Sequence, residues 1–297
     1  MQIQANGIQI EVEDSGFDST QADRPVLLLV MGLGMQLTAW PPSMVQALVQ
    51  AGYRVIRHDN RDIGLSAHLD HLGQPNLVWQ GLKFNLGLQV TPPYTLHDMA
   101  QDALGVLDAL GVQRAHVLGL SMGGMIAQRM ALAAPQRLRS LTSVMSTSSA
   151  RGLPKASAKV QMAMLGKPSA PSEDAVLRHY IRLFQVIGSP AYPIPQAEIE
   201  ARVRQSLRRS YRPQGSARQT LASIADHARA QELGAIRLPT LVLHGKDDPL
   251  LPFACGVDTA RRIPGARLES LSGMGHDLPL PVVNWMLSHL LAHLAAA

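Results

Sequence analysis

The stretch Gly119-Leu120-Ser121-Met122-Gly123-Gly124 constrains this chain more than any other. Ahead of it, Ala115-His116-Val117-Leu118 reads as a buried strand. Behind it, residues 125–134 are strong helix formers and stop at Pro135. A Gly-x-Ser-x-Gly set between a strand and a helix has a steric consequence. The turn is so tight that the serine takes a strained backbone conformation, and the flanking glycines leave room for neighbouring chain. The Ser121 hydroxyl is then expected at the strand's carboxyl end. The Met122 amide opens a helix, where negative charge is favoured. Ser121 is thus a candidate nucleophile. The plain alternative is a glycine-rich turn with an incidental serine.

The rest of the chain supplies the setting. Residues 2–13 alternate polar and apolar around Asn6-Gly7, a hairpin signal. The run Pro25–Val30 is continuously apolar, as a strand buried on both faces must be. A helix is expected over 41–51, a strand over 53–58, and a polar loop over Asp59–Ser66. Residues 67–93 read as irregular. Thr95 reads as the cap of a helix that ends at Gly111. A strand at 138–144 precedes a long break. Residues 154–232 show helical periods and no convincing strand, and then strand–helix alternation resumes through 239–244, 252–263, 267–271 and 279–294. Such alternation implies the α/β class, a mainly parallel sheet with helices on both faces. The expected division is a core of 1–145 and 233–297 carrying a helical cap of 146–232 at the sheet's carboxyl edge, where ligands bind.

A serine hydroxyl needs a general base and a site for the oxyanion. His276 is the candidate base, because among 11 histidines it alone sits on a loop after the last strand, in Gly273-Met274-Gly275-His276. The acid that orients it is expected after the preceding strand, in His244-Gly245-Lys246-Asp247-Asp248-Pro249. Asp248 is chosen over Asp247 because Pro249 biases it toward an extended backbone. The oxyanion would be held by two backbone N–H groups, those of Met122 and of Leu33 in the loop Met31-Gly32-Leu33-Gly34. Gln36 and Trp40 follow that loop as candidate substrate-binding residues, with Trp40 equally readable as core. Met162, Met164, Leu165, Tyr180, Phe184 and Ile187 read either as an apolar lid face or as the packing seam of the insertion.

Taken in order, Val30–Gly34, Asp59–Ser66, Gly119–Gly124, His244–Pro249 and Gly275-His276 resemble the α/β-hydrolase superfamily. The nearest resemblance is to bacterial esterases, including methylesterases acting on polyketide-type esters. The resemblance implies a serine hydrolase of carboxylic esters working through an acyl-enzyme, with Ser121, Asp248 and His276 as triad and no cofactor or metal. One departure is that Met31-Gly32 stands where many relatives have His-Gly. The same apparatus also suits acyl transfer, carbon–carbon bond hydrolysis or perhydrolysis, and a non-turnover ligand receptor is a further alternative.

Composition narrows the partners. The net charge is +5, yet residues 150–235 alone carry 13 Lys and Arg against 6 Asp and Glu. Those arginines are interleaved with helix-period apolar residues, so they read as a solvated helix face and not as a nucleic-acid site. A small-molecule ester is the expected partner, with neither nucleic acid nor membrane. A single cysteine, Cys255, excludes an intrachain disulfide. With no leader-like apolar run at residues 1–20, the expectation is a cytoplasmic protein.

Overall fold

The computed structural model describes residues 1–17, 24–170 and 172–297. The hairpin around Asn6-Gly7 is β1 (Gln2–Ala5) and β2 (Ile8–Ser15). Then come β3 (Val26–Val30), α1 (Pro42–Gln50), β4 (Arg54–His58), α2 (Leu77–Asn85), α3 (Leu96–Ala109), β5 (Ala115–Leu120), α4 (Met122–Ala133) and β6 (Leu138–Val144). Five helices follow: α5 (Ala158–Leu165), α6 (Glu173–Ile187), α7 (Gln196–Arg209), α8 (Pro213–Ala225) and α9 (Arg229–Glu232). The chain closes with β7 (Thr240–Gly245), α10 (Ala254–Arg262), β8 (Arg267–Leu271) and α11 (Leu280–Ala295). Among the described residues, no strand lies between β6 and β7.

The eight strands form one sheet in the order β1-β2-β4-β3-β5-β6-β7-β8. From β4 to β8 every neighbouring pair is parallel, while β1 and β2 join antiparallel at one edge. Parallel strands end on the same side. The loops after β3, β5, β7 and β8, which hold Leu33, Ser121, Asp248 and His276, therefore gather at one edge.

The apolar run in β3 shows why the sheet is buried on both sides. Leu28 and Val30 face a cluster with Met99, Leu107 and Ile126 from α3 and α4. Leu27 and Leu29 face a second cluster with Met44, Leu48, Val282 and Met286 from α1 and α11. Each such side chain contributes roughly 1.5–3 kcal/mol on full burial. Helix α3 starts where Thr95 was expected to cap it. Thr95 Oγ1 accepts from the Asp98 N–H, and the Asp98 carboxylate accepts from the Thr95 N–H.

One expectation fails. Residues 67–93 are not wholly irregular, because α2 lies within them. Asn76 caps it by accepting the Trp79 N–H at 3.0 Å. Its Val78, Trp79 and Leu82 are exposed, so the buried apolar stripe that marks most helices is missing.

Candidate active site

Ser121 sits between β5 and α4 with φ 55° and ψ −119°. Few non-glycine residues adopt such a backbone, and it persists only where the surroundings enforce it. Here they are tight. A Cβ on Gly123 would lie 2.0 Å from Val30 O, and one on Gly119 would lie 2.1 Å from Gly123 O. No side chain fits at either position. The turn is fixed further by the Ser121 N–H donating to Val144 O at 2.8 Å and the Ser146 hydroxyl donating to Ser121 O at 2.7 Å.

The other side chains converge on Ser121. His276 Nε2 lies 3.0 Å from Ser121 Oγ, and His276 Nδ1 lies 2.7 Å from Asp248 Oδ2. The second carboxylate oxygen, Asp248 Oδ1, accepts the Leu250 and Leu251 amides, each at 2.9 Å. Burial alone would raise the Asp248 pKa. The facing His276, His244 and the Leu251 amide outweigh it and hold the carboxyl below its ordinary value. An ionised Asp248 requires Nδ1 of His276 to carry the proton, which leaves Nε2 free to accept from Ser121. His244 Nε2 donates to Leu251 O at 2.8 Å and so braces the loop that carries the acid. Asp247 has a different task. Its Oδ2 accepts the Gly273 N–H at 2.6 Å and its own N–H donates to Met274 O at 3.2 Å, so it ties the acid loop to the histidine loop.

The Met122 amide is the first of α4, where helical geometry leaves N–H groups without intrahelical partners. The loop after β3 presses on the turn, since a Cβ on Gly32 would lie 3.3 Å from Ser121 Cβ. Leu33 is the next residue. Asn60 Nδ2 donates to Met31 O at 2.9 Å and holds the start of that loop.

A family model for the alpha/beta hydrolase fold matches residues 25–281, most of the chain. The chain belongs to the α/β-hydrolase family. It is 31% identical to the rhodomycin D methylesterase DnrP of Streptomyces peucetius, covering 93% of this chain and 92% of that protein. It is 29% identical to a putative carbamate hydrolase, RutD, of a Caulobacter species, covering 86% of this chain and 85% of that one. Among solved structures it resembles a meta-cleavage product hydrolase from Pseudomonas fluorescens, with a TM-score of 0.75 at 17% identity over 100% of this chain and 97% of the other. An enol-lactonase from Burkholderia xenovorans superposes with a TM-score of 0.74 at 21% identity over 99% and 100% of the two chains. These two likenesses speak for the fold. The methylesterase and carbamate hydrolase relatives make the chain a hydrolase by kinship.

Within this α/β-hydrolase, Gln36 and Trp40 are both buried. Trp40 is fully buried in the cluster with Met44 and Val282, which fits the core reading of this residue. Gln36 is 3% exposed and both ends of its amide are engaged. Its Nε2 donates to Ser206 O and Ser210 O, each at 2.8 Å, and its Oε1 accepts from Arg209 Nη1 at 2.7 Å. Gln36 thus joins the core to the helical insertion.

Arg151, Arg178, Arg182, Arg202 and Arg208 are exposed, as a solvated helix face requires, but two arginines of the insertion depart from expectation. Arg218 and Arg229 are fully buried rather than solvated. Arg218 forms a two-pronged pair with Asp62 at 2.8 and 2.7 Å. Arg209 Nη1 reaches Asp59 Oδ2 at 2.6 Å. Gln219, also fully buried, accepts the Gly34 N–H at 2.9 Å and donates to Arg61 O at 2.9 Å. The polar loop Asp59–Ser66 is therefore the seat of the insertion. Of the two readings of the insertion's apolar residues, Tyr180 and Phe184 fit the packing seam, lying against Leu177, Ile181, Ile199 and Val203, whereas Met162 and Leu165 are exposed.

A cleft of about 600 Å³ opens between Pro41–Ser43, residues 191–195 and the start of α11. Neither Ser121, His276, Leu33 nor Met122 lines it. Among the described residues, no group of three or more His, Cys, Asp or Glu is gathered to hold a metal, and no helix is long and apolar enough to cross a membrane.

Proposed function

We propose that this chain hydrolyses carboxylic esters through a serine acyl-enzyme. The observation that carries the reading is the unbroken relay from Ser121 Oγ through His276 to Asp248, at 3.0 and 2.7 Å. In this reading Ser121 attacks the ester carbonyl while His276 Nε2 takes its proton. The Leu33 and Met122 amides hold the tetrahedral oxyanion. His276 then protonates the leaving alcohol, and water activated by the same imidazole releases the acid. Asp248 stays ionised and stabilises the imidazolium.

The kinship with a methylesterase supports a methyl ester of a larger acid as the substrate class, because that relative aligns over nearly the whole of both chains. Ser121→Ala is expected to abolish hydrolysis of p-nitrophenyl acetate, with a loss of about 10³–10⁶-fold in kcat. Turnover by purified Ser121→Ala at the wild-type rate would sink the proposal. Mass spectrometry of the wild type treated with a fluorophosphonate is expected to place the adduct on Ser121.

A further inference from the structure

The histidine loop is gripped from outside the core. The His276 N–H donates to Ile187 O at 2.8 Å, at the end of α6. The Gly275 N–H donates to Ser189 Oγ at 2.9 Å. Ser189 donates its own N–H to Asp277 Oδ1 at 3.0 Å, and its hydroxyl to the same oxygen. The Ala191 N–H donates to Gly273 O at 3.1 Å. Residues 187–191 thus bind both flanks of His276. The two segments are in main-chain contact, since a Cβ on Gly275 would lie 2.4 Å from Gly188 O.

Ser189 is the centre of this grip. It is 3% exposed, and its hydroxyl is used in both directions. The loop it holds is intrinsically loose, with Gly273 at φ 76° and Gly275 beside the histidine. Yet the imidazole must meet Ser121 and Asp248 at once, and small displacements of such a group cost rate out of proportion to the distance moved. From the core side the loop is held through Asp247, which takes the Gly273 N–H. Asp247 also donates its own N–H to Met274 O, and beyond Met274 the flanks of the histidine are fastened by the insertion.

We propose that Ser189 is a positioning residue for His276, acting through Gly275 and Asp277. The proposal rests on the serine-hydrolase reading for its kinetic consequence, and on geometry alone for its structural one. Ser189→Ala is expected to lower kcat on p-nitrophenyl acetate about tenfold with KM within twofold of wild type, as loss of alignment does. Asp277→Ala is expected to do the same from the loop's side, and serves where Ser189→Ala does not fold. Asp277→Asn keeps an oxygen acceptor for Ser189 and is expected to retain at least half the wild-type kcat. A purely structural role would lower Tm and leave kcat per folded molecule unchanged.

A second readout does not depend on turnover. The proton between His276 Nδ1 and Asp248 is expected to give a low-field NMR resonance that persists in Ser121→Ala and broadens in Ser189→Ala. Absence of any Ser121-dependent esterase activity removes the hydrolase reading and leaves this resonance to decide the positioning role. An unbroadened resonance in Ser189→Ala, a kcat within twofold of wild type in that folded variant, or an Asp277→Asn as impaired as Asp277→Ala overturns the proposal.

Discussion

The core and the helical insertion are held in place by different forces. In the core, β3 buries apolar side chains on both faces against α1, α3, α4 and α11. The insertion has a small apolar cluster of its own, around Leu177, Ile181, Ile199 and Val203. Its joint to the core is rich in polar contacts: Arg218 with Asp62, Arg209 with Asp59 and Gln36, Gln219 with Gly34 and Arg61, Ser189 with Gly275 and Asp277. Apolar burial is strong but non-directional. Buried ion pairs and hydrogen bonds add little net stability, because desolvation offsets them, but they demand one geometry. The core therefore supplies the stability of the fold, while the joint fixes where the insertion stands over the carboxyl edge.

The largest effect expected on the core side is chemical. Asp248→Asn removes the charge facing His276 and is expected to lower kcat by about 10³–10⁴-fold. Asp247→Asn keeps an oxygen for the Gly273 N–H and is expected to stay within tenfold of wild type. Steady-state kinetics on both variants checks this, and equal losses would erase the distinction between acid and brace. At the joint, Arg218→Met leaves Asp62 buried without its partner, which costs about 3–5 kcal/mol. Urea melts measure the cost. Hydrogen exchange is expected to show the loss first in α7 and α8. Adding Asp62→Leu to Arg218→Met is expected to recover much of the stability, because the uncompensated charge is then gone.

The same contrast explains what could be read from the sequence. Ser121, Asp248 and His276 were legible because each announces itself locally: a serine between glycines, an aspartate before Pro249, a histidine after a glycine-rich turn. The strands were legible through continuous or alternating apolar residues. The joint was not. Asp59 and Asp62 find Arg209 and Arg218 some 150 residues away, and nothing near either end marks the pairing. Gln36 and Trp40 were placed near the site by adjacency to the oxyanion loop, but adjacency says nothing of direction. Gln36 turns to the insertion and Trp40 to the core. Arginines at helical spacing look the same whether they face water or a buried carboxylate.

Acid is expected to strain the core more gently. His58 ends β4 fully buried, and burial lowers its pKa from 6.5 to about 4. The unfolded chain therefore binds this proton at a higher pH than the folded one. Stability contributed by the neutral form is complete above pH 6.5 and is lost as the pH falls toward 4. At ~1.4 kcal/mol per pH unit the loss reaches roughly 3 kcal/mol. Urea melts at pH 7 and pH 4 measure it, and His58→Leu is expected to reduce the difference by about that amount, leaving the part due to His116, whose pKa burial also lowers to about 4. A pH dependence unchanged in that variant would move the effect to other groups.

The smallest effect tests whether the joint reaches the chemistry. Gln219 accepts the Gly34 N–H, one residue beyond the amide proposed to hold the oxyanion, and anchors itself on Arg61 O. Asn60 holds the start of this loop through Met31 O, and Gln219, a side chain of the insertion, holds its end. Gln219→Met keeps the length of the side chain and removes both bonds. The loop should then sample positions in which the Leu33 N–H points away from the developing charge. One misaligned donor weakens transition-state binding more than substrate binding. The expected result is a kcat about fivefold to tenfold lower with KM little changed, and a boronic acid inhibitor weakened by the same factor. Loss of kcat without loss of inhibitor affinity would detach Gln219 from the oxyanion and return it to the joint alone.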